Sequence, residues 1–354
     1  MLATSTSSRA ASSRAVSIWL LAIVAMIGGM VVLGGITRLT GSGLSMVEWH
    51  PLMGALPPLS EADWTEVFEQ YQNSPQYQLV NDWMVLADFK QIFLWEYLHR
   101  LCGRLLGLVF FLPFLFFLKT KRLQGRLTRR VFVAFVLGGL QGILGWYMVK
   151  SGLSDRPSVS HFRLAAHLSL AFVTALYVFW IWLDLRIVFP EKRDSKVLRA
   201  LAGIGVLVGI QIVYGAFMAG LRAGLVFPGF PLIEGSLLPF SKLEGLSLAE
   251  AALWNPAGIH LIHRALGWLL LLAAPAVALW ARSRATSPLQ KRLCTALGLA
   301  VLVQFTLGAF TILKLIAIPI AVAHQLGALA LAGLILATGI AFGWGKPEWG
   351  EAKR

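Results

Sequence analysis

Eight apolar runs, separated by polar, basic or proline-rich connections, set the rhythm of this chain. They lie near 16–36, 92–118, 131–149, 164–184, 200–220, 259–281, 293–313 and 319–344. A bilayer core takes about 20 residues of α-helix, so each run predicts a membrane span. The runs hold many glycines, which allow helices to pack closely in lipid. Two connections are long, about 37–91 and 221–258. In the first, Ser60 precedes Glu61-Ala62-Asp63-Trp64, with an acid at the third helical position. In the second, Ser247-Leu248-Ala249-Glu250 has capping-box spacing, so each connection is expected to hold a short helix. Both are rich in Pro, Trp and Leu. They are expected either to lie on the membrane surface or to pack on the mouth of a helix bundle.

Composition agrees with the pattern. Of 354 residues, 57% are hydrophobic and only 14% charged, which fits a multi-pass membrane protein and not a soluble domain of this size. The net charge of +14 would suit a nucleic-acid partner. However, the basic residues sit in short clusters between apolar runs, so no nucleic acid is expected and the charge is assigned to topology. Arg9 and Arg14, the group Lys119 to Arg130, the group Arg186 to Arg199, the group Arg282 to Arg292, and Lys346, Lys353 and Arg354 fall in one alternating set of connections. These are most of the 31 basic residues. The positive-inside rule puts that set, and both termini, in the cytoplasm. Met1 to Ala15 could pass for a presequence, but no clear small-residue cleavage site follows, which favours a retained tail and first span. Cys102 and Cys294 sit within separate apolar runs, and no disulfide or thiolate metal motif is expected.

The chain repeats itself. Glu96-Tyr97-Leu98-His99-Arg100 aligns with His260-Leu261-Ile262-His263-Arg264, and Gln141-Gly142-Ile143-Leu144-Gly145 with Gln304-Phe305-Thr306-Leu307-Gly308. Ala166-His167-Leu168 aligns with Ala323-His324-Gln325, and Gly34 to Gly43 loosely with Gly215 to Gly224. Four spans per repeat is an even number, so the halves share an orientation. The expected architecture is an all-α membrane protein of eight transmembrane helices, built as two four-helix bundles about a pseudo-two-fold along the membrane normal. The expected halves are 1–199 and 200–354, each with a site in its core.

Ionisable side chains at membrane depth are costly and point to function. His99, His167, His263 and His324 each fall within about two turns of the external end of a span, roughly 5–10 Å below it at 1.5 Å per residue. They come from the second and fourth spans of each half, so each half offers two imidazoles that can face one another. Paired imidazoles in an apolar bundle suit bis-histidine ligation of haem iron, whereas zinc would want a third or fourth ligand close by. Single histidines are commonly structural. His161 has no counterpart in the other half and does not share a helical face with His167. His260 stands where the first repeat has Glu96. Both are read as accessory or structural, and His50, before Pro51, as a surface residue. Glu96 shares a face with His99 and can pair with Arg100 one turn on, or it can be a carboxylate that handles protons beside a bound substrate. Since only the first half has it, catalysis is assigned there and electron storage to the second half. Arg100 and Arg264 are expected to hold haem propionates or to snorkel to the interface. The glycines around Arg38 permit a tight turn and do not form a phosphate loop.

On Gly35-Ile36-Thr37-Arg38-Leu39-Thr40-Gly41-Ser42-Gly43-Leu44-Ser45, Glu96 to Arg100, Arg163-Leu164-Ala165-Ala166-His167-Leu168, Ile262-His263-Arg264 and Ala323-His324-Gln325, the chain resembles the haem A synthase family of cytochrome oxidase biogenesis. The long first loop without cysteines resembles its proteobacterial and mitochondrial branch. The resemblance implies an oxidoreductase that converts haem O to haem A by successive hydroxylations of the C8 methyl group to a formyl group. It implies haem b on His263 and His324, and substrate haem on His99 and His167 with Glu96 beside the reacting edge. It also implies water as the oxygen source, haem O synthase as upstream partner, a homo-oligomeric state, and a bacterial inner (plasma) membrane location with the haem sites toward the periplasm. Two other readings use the same histidines: a di-haem electron-transfer cytochrome acting on quinone, which gives Glu96 no special part, and a haem carrier without chemistry.

Overall fold

The computed structural model describes residues 2–48, 56–154, 157–187 and 190–345. His50, Lys346, Lys353 and Arg354 lie outside these residues. The spans are α1 (Leu2–Leu39), α3 (Leu86–Lys119), α4 (Gly125–Lys150), α5 (His161–Arg186), α6 (Ser195–Gly220), α9 (Pro256–Ser283), α10 (Pro288–Leu313) and α11 (Ile318–Ala341). All eight are long and apolar enough to cross a membrane, as the hydrophobic runs required. Short helices α2 (Glu61–Gln72), α7 (Ala223–Val226) and α8 (Leu248–Leu253) occupy the long connections.

Local chemistry explains the ends. Ser60 caps α2, and its N–H, with that of Leu59, donates to the Asp63 carboxylate at 3.0 and 3.1 Å. These bonds, with the Ser60 backbone first, hold the Asp63 carboxyl below its usual range. The Ser247–Glu250 capping box starts α8. α3 begins at Leu86 and not near 92, because Asp88 accepts the Val85 N–H at 3.3 Å and extends the helix beyond its apolar stretch. The last span stops at Ala341, where Gly343 takes φ 107°.

Two apolar cores carry the packing. Trp19, Leu20, Ile23 and Ile27 of α1 meet Phe110, Phe114 and Phe117 of α3, Val131 of α4 and Phe172, Val178 and Ile181 of α5. Leu201 and Ile204 of α6 meet Leu270 and Ala274 of α9, Leu297 and Val301 of α10 and Leu331 and Ile335 of α11. α1 and α5 also pack on α11, and α5 on α6, so these four helices join the cores. The outward faces are apolar as well: Leu112, Phe116, Phe132, Ile143, Leu272 and Leu299 are exposed. That surface suits hydrocarbon and would be an aggregation hazard in water. In the first long connection, Trp64, Phe68 and Tyr71 pack against Phe89, Ile92 and Phe93 at the start of α3. The second stands over α5, where His161 Nε2 donates to the Leu253 carbonyl at 2.8 Å amid Phe162, Phe217 and Trp254. These segments therefore pack on the bundle mouth.

The seam between the first and second four spans is closed at its mouth by backbone contact. Arg38 donates to the Ala219 and Gly220 carbonyls at 2.8 and 3.3 Å, capping the C-terminus of α6. Gly220 faces the start of α5, and a Cβ there would stand 2.8 Å from His161 Cα. Gly220→Ala is expected to force the α5–α6 mouth apart at a cost of about 1–3 kcal/mol. The measurement is the thermal midpoint of the detergent-purified protein, with an unchanged midpoint counting against this packing.

Candidate functional site

The site grows from α3. Its 3.6-residue period puts Glu96, His99 and Arg100 on one face. Glu96 is 3% exposed, and its carboxylate takes three donors. Arg100 pairs with Oε1 at 2.6 Å, while the Ser45 hydroxyl and the Met46 N–H donate to Oε2 at 2.7 and 2.9 Å. Arg100 also donates to the Met46 and Glu48 carbonyls at 2.8 and 3.2 Å. The ion pair with Arg100 is thus formed, and it pins the glycine-rich turn after α1 against α3. Gly41, at φ 71°, makes that turn possible, and the Gln76 amide donates to its carbonyl at 3.0 Å.

His99 of α3 and His167 of α5 lie within electrostatic reach of one another, and so do His263 of α9 and His324 of α11. All four are half-buried. Among the described residues, no group of three or more His, Cys, Asp or Glu gathers, so neither pair belongs to a zinc-type cage. Each imidazole rests against a glycine of a neighbouring helix. A Cβ would lie 3.1 Å from His99 Cε1 at Gly34, 3.0 Å from His167 at Gly145, 3.2 Å from His263 at Gly215 and 2.8 Å from His324 at Gly308. A glutamine one turn before the glycine accompanies three of the four. Gln141 Nε2 donates to the His167 carbonyl at 3.0 Å and lies 3.2 Å from its Nδ1. Gln304 Nε2 donates to the His324 carbonyl at 2.9 Å and lies 3.1 Å from its Nδ1. Gln211 Nε2 stands 3.4 Å from His263 Nε2. His324 Nδ1 donates to the Gln304 backbone carbonyl at 3.2 Å, whereas His263 Nδ1 is buried without a partner. A backbone acceptor at Nδ1 of His324 leaves its Nε2 as the nitrogen that could meet a metal. His99 Nδ1 is, like that of His263, buried without a partner. Imidazole pairs in apolar walls are the donor set that could hold an iron porphyrin, with the Gln141 and Gln211 amides 3.4 Å from Nε2 of His167 and His263.

The arginines hold loops. Arg264, 7% exposed, donates to the Pro231 carbonyl and, at 2.7 Å, to that of Leu237. It folds the second connection over α9 as Arg100 folds the first over α3. His260, 2% exposed, takes the place of Glu96 without its bonds: its Nδ1 is buried and unpartnered. Reading the sequence for chemistry passed over Ser45, Gln211 and the four glycines. The Gln-x-x-x-Gly spacing, which recurs at 141, 211 and 304, was the signal that would have found most of them.

The fold and site define a multi-pass, all-helical membrane protein whose core carries two pairs of imidazoles. The chain matches the family described as Cytochrome oxidase assembly protein over residues 17–336 and belongs to it, as its motifs led one to expect. It is 44% identical over 332 residues to a protein of Nitrosospira multiformis, covering 92% of this chain and 93% of that one. It is 43% identical over 319 residues to one of Maricaulis maris, covering 90% and 93%, and 41% identical over 333 residues to one of Flavobacterium psychrophilum, covering 92% and 96%. All three carry the name Heme A synthase.

Arg264→Leu leaves the Pro231 and Leu237 carbonyls unpaired, and charged hydrogen bonds are worth about 1.5–3 kcal/mol each. The variant is expected to be cleaved much faster within 227–247 by a protease added to the detergent-purified protein. Cleavage at the parent rate would show that the guanidinium does not hold this segment.

Proposed function

We propose that this chain is a haem A synthase, oxidising the C8 methyl group of haem O to a formyl group through successive hydroxylations. The observation that carries the reading is the repeated imidazole pair combined with one asymmetry: Glu96 in the first half and His260 in the second. The substrate haem lies in 1–199 between His99 and His167. Haem b lies in 200–354 between His263 and His324. The two halves are related by a pseudo-two-fold along the membrane normal.

Haem b supplies electron storage when bound. The residues do the rest. The imidazoles fix the substrate ring in one plane, so its C8 edge meets the protein in a single register. Apolar walls of α1, α3, α4 and α5 limit water around it. With water as the oxygen source, each hydroxylation releases protons as well as electrons. Glu96, on the face of α3 that carries His99, is the carboxylate placed to take a proton. Three donors fill three of its roughly four acceptor positions, leaving one for a proton in transit. Arg100 and Arg264, each next to a candidate ligand histidine, are guanidinium donors of the kind that suits haem propionates.

Both termini lie in the cytoplasm and the haem sites toward the periplasmic side of a bacterial inner membrane, following the basic connections. Haem O is too apolar to cross water freely, so its supplier, haem O synthase, delivers it within the lipid. Homo-oligomers are compatible with the apolar outer faces.

Optical spectra and extracted pigments of purified variants test this. His263→Ala and His324→Ala are expected to lose the resident b-type signal, while His99→Ala and His167→Ala keep it and yield no haem A. Glu96→Gln is expected to keep both pigments bound but to lower haem A formation about 100-fold or more, the scale of lost acid–base catalysis. Haem A produced by Glu96→Gln at the parent level, in cells with no other source, would overturn the role of Glu96. A colourless parent protein that takes up no haem would overturn the whole reading.

A further inference from the structure

Three of the four imidazoles have an amide at their back, and one does not. The elements Gln141-x-x-x-Gly145 on α4, Gln211-x-x-x-Gly215 on α6 and Gln304-x-x-x-Gly308 on α10 face His167, His263 and His324. The fourth element is Met30-x-x-x-Gly34 on α1, and it faces His99. Met30 occupies the place of Gln211. A Cβ at Gly103, one turn after His99, would meet Met30 Cε at 3.6 Å, and a Cβ at Gly267, one turn after His263, would meet Gln211 Nε2 at 3.5 Å.

The geometry points to a division of labour that rests on the reading of the four histidines as haem ligands. We propose that Gln141, Gln211 and Gln304 are positioning residues that clamp three of the ligating imidazoles, and that Met30 leaves His99 as the ligand that lets go when haem is exchanged.

The physical basis is fullest at the Gln304 element. A helical carbonyl is normally screened by the side chain one turn ahead. Glycine at that position lets an imidazole reach the carbonyl, as His324 Nδ1 does at Gln304, 3.2 Å away. The glutamine side chain then closes over the ring. In all three glutamines Oε1 is sealed from solvent and has no partner. A buried amide oxygen in that condition is costly. In Gln141 and Gln304 the amide Nε2 donates to the backbone carbonyl of the histidine it faces, at 3.0 and 2.9 Å, and so ties the glutamine to that ring's own residue. At His324 the Nδ1–H bond to the Gln304 backbone carbonyl fixes the tautomer that leaves Nε2 for iron and raises its basicity. A methionine thioether is flexible and a weak acceptor; Nδ1 is buried without a partner in both His99 and His263, but only His99 has no amide beside its ring. His99 is therefore the least constrained ring. A resident haem needs two clamped ligands, whereas a substrate that enters and a product that leaves need one side that opens. The amides are distributed in that way, with both second-half ligands clamped and one of the two in the first half.

Haem loss tests this in the purified, haem-loaded protein. A haem-scavenging apo-globin is added in excess, departing haems are separated by type, and the low-spin ferric spectrum of what remains is recorded at low temperature. Gln211→Met and Gln304→Met are expected to speed haem b loss by roughly tenfold, the lower end of the effect of removing a partner of a ligating histidine, and to shift the haem b spectrum alone. Met30→Gln is expected to slow loss of the first-half haem several-fold and to leave haem b loss unchanged, whereas Met30→Leu behaves as the parent. Rates and spectra unaltered by all of these changes, or Met30→Gln acting equally on both haems, would overturn the proposal. If a glutamine variant does not fold, Met30→Gln against Met30→Leu decides alone. Haem retained by His263→Ala and His99→Ala as in the parent would instead defeat the ligand assignment on which the proposal rests.

Discussion

The close approach of a helix backbone to an imidazole, allowed by a glycine, is the contact on which the rest of this structure depends. It occurs four times, at Gly34, Gly145, Gly215 and Gly308. A polar ring inside an apolar bundle must have its nitrogens satisfied or be positioned for a ligand that satisfies them. At Gly308 the glycine answers the first need by exposing the Gln304 carbonyl to His324 Nδ1, and the pairing of rings across helices answers the second. Helix spacing, loop closure and the two apolar cores all serve to keep those rings facing inward.

The two long connections have a matching role. Each long loop is fastened by the arginine next to a site histidine: Arg100 to the Met46 and Glu48 carbonyls, Arg264 to those of Pro231 and Leu237. A His-Arg step on a helix points the imidazole into the bundle and the guanidinium toward the loop above it, because adjacent residues on a helix diverge by about 100°. Site and lid are thus built by neighbouring residues. The asymmetry between the halves lies one turn earlier, where Glu96 is held by Ser45, Met46 and Arg100 while His260 keeps an unpartnered nitrogen.

Much of this was legible in the chain. The eight spans follow from unbroken apolar runs, since a bilayer imposes a length that few other environments do. The capping boxes at Ser60 and Ser247 announced α2 and α8 because capping is local chemistry. The four histidines stood out through their repetition at one depth. The ends of spans were less legible: α3 starts at Leu86 because Asp88 rewards a longer helix, which hydrophobicity does not report. Whether the long connections lie on lipid or on protein was also open until Tyr71, Phe89 and Phe93 were seen packed together.

Sequence alone determined the membrane class, the number of spans, the repeat and the residue types available for chemistry. Each of these depends on local pattern or on composition. Only the tertiary structure decided which donors reach Glu96, that Arg264 lies buried under a loop, and that Met30 stands where Gln211 does. Those facts depend on how helices distant in the chain come to lie against one another. That arrangement is set by the summed packing of the whole bundle, which no short stretch of sequence encodes.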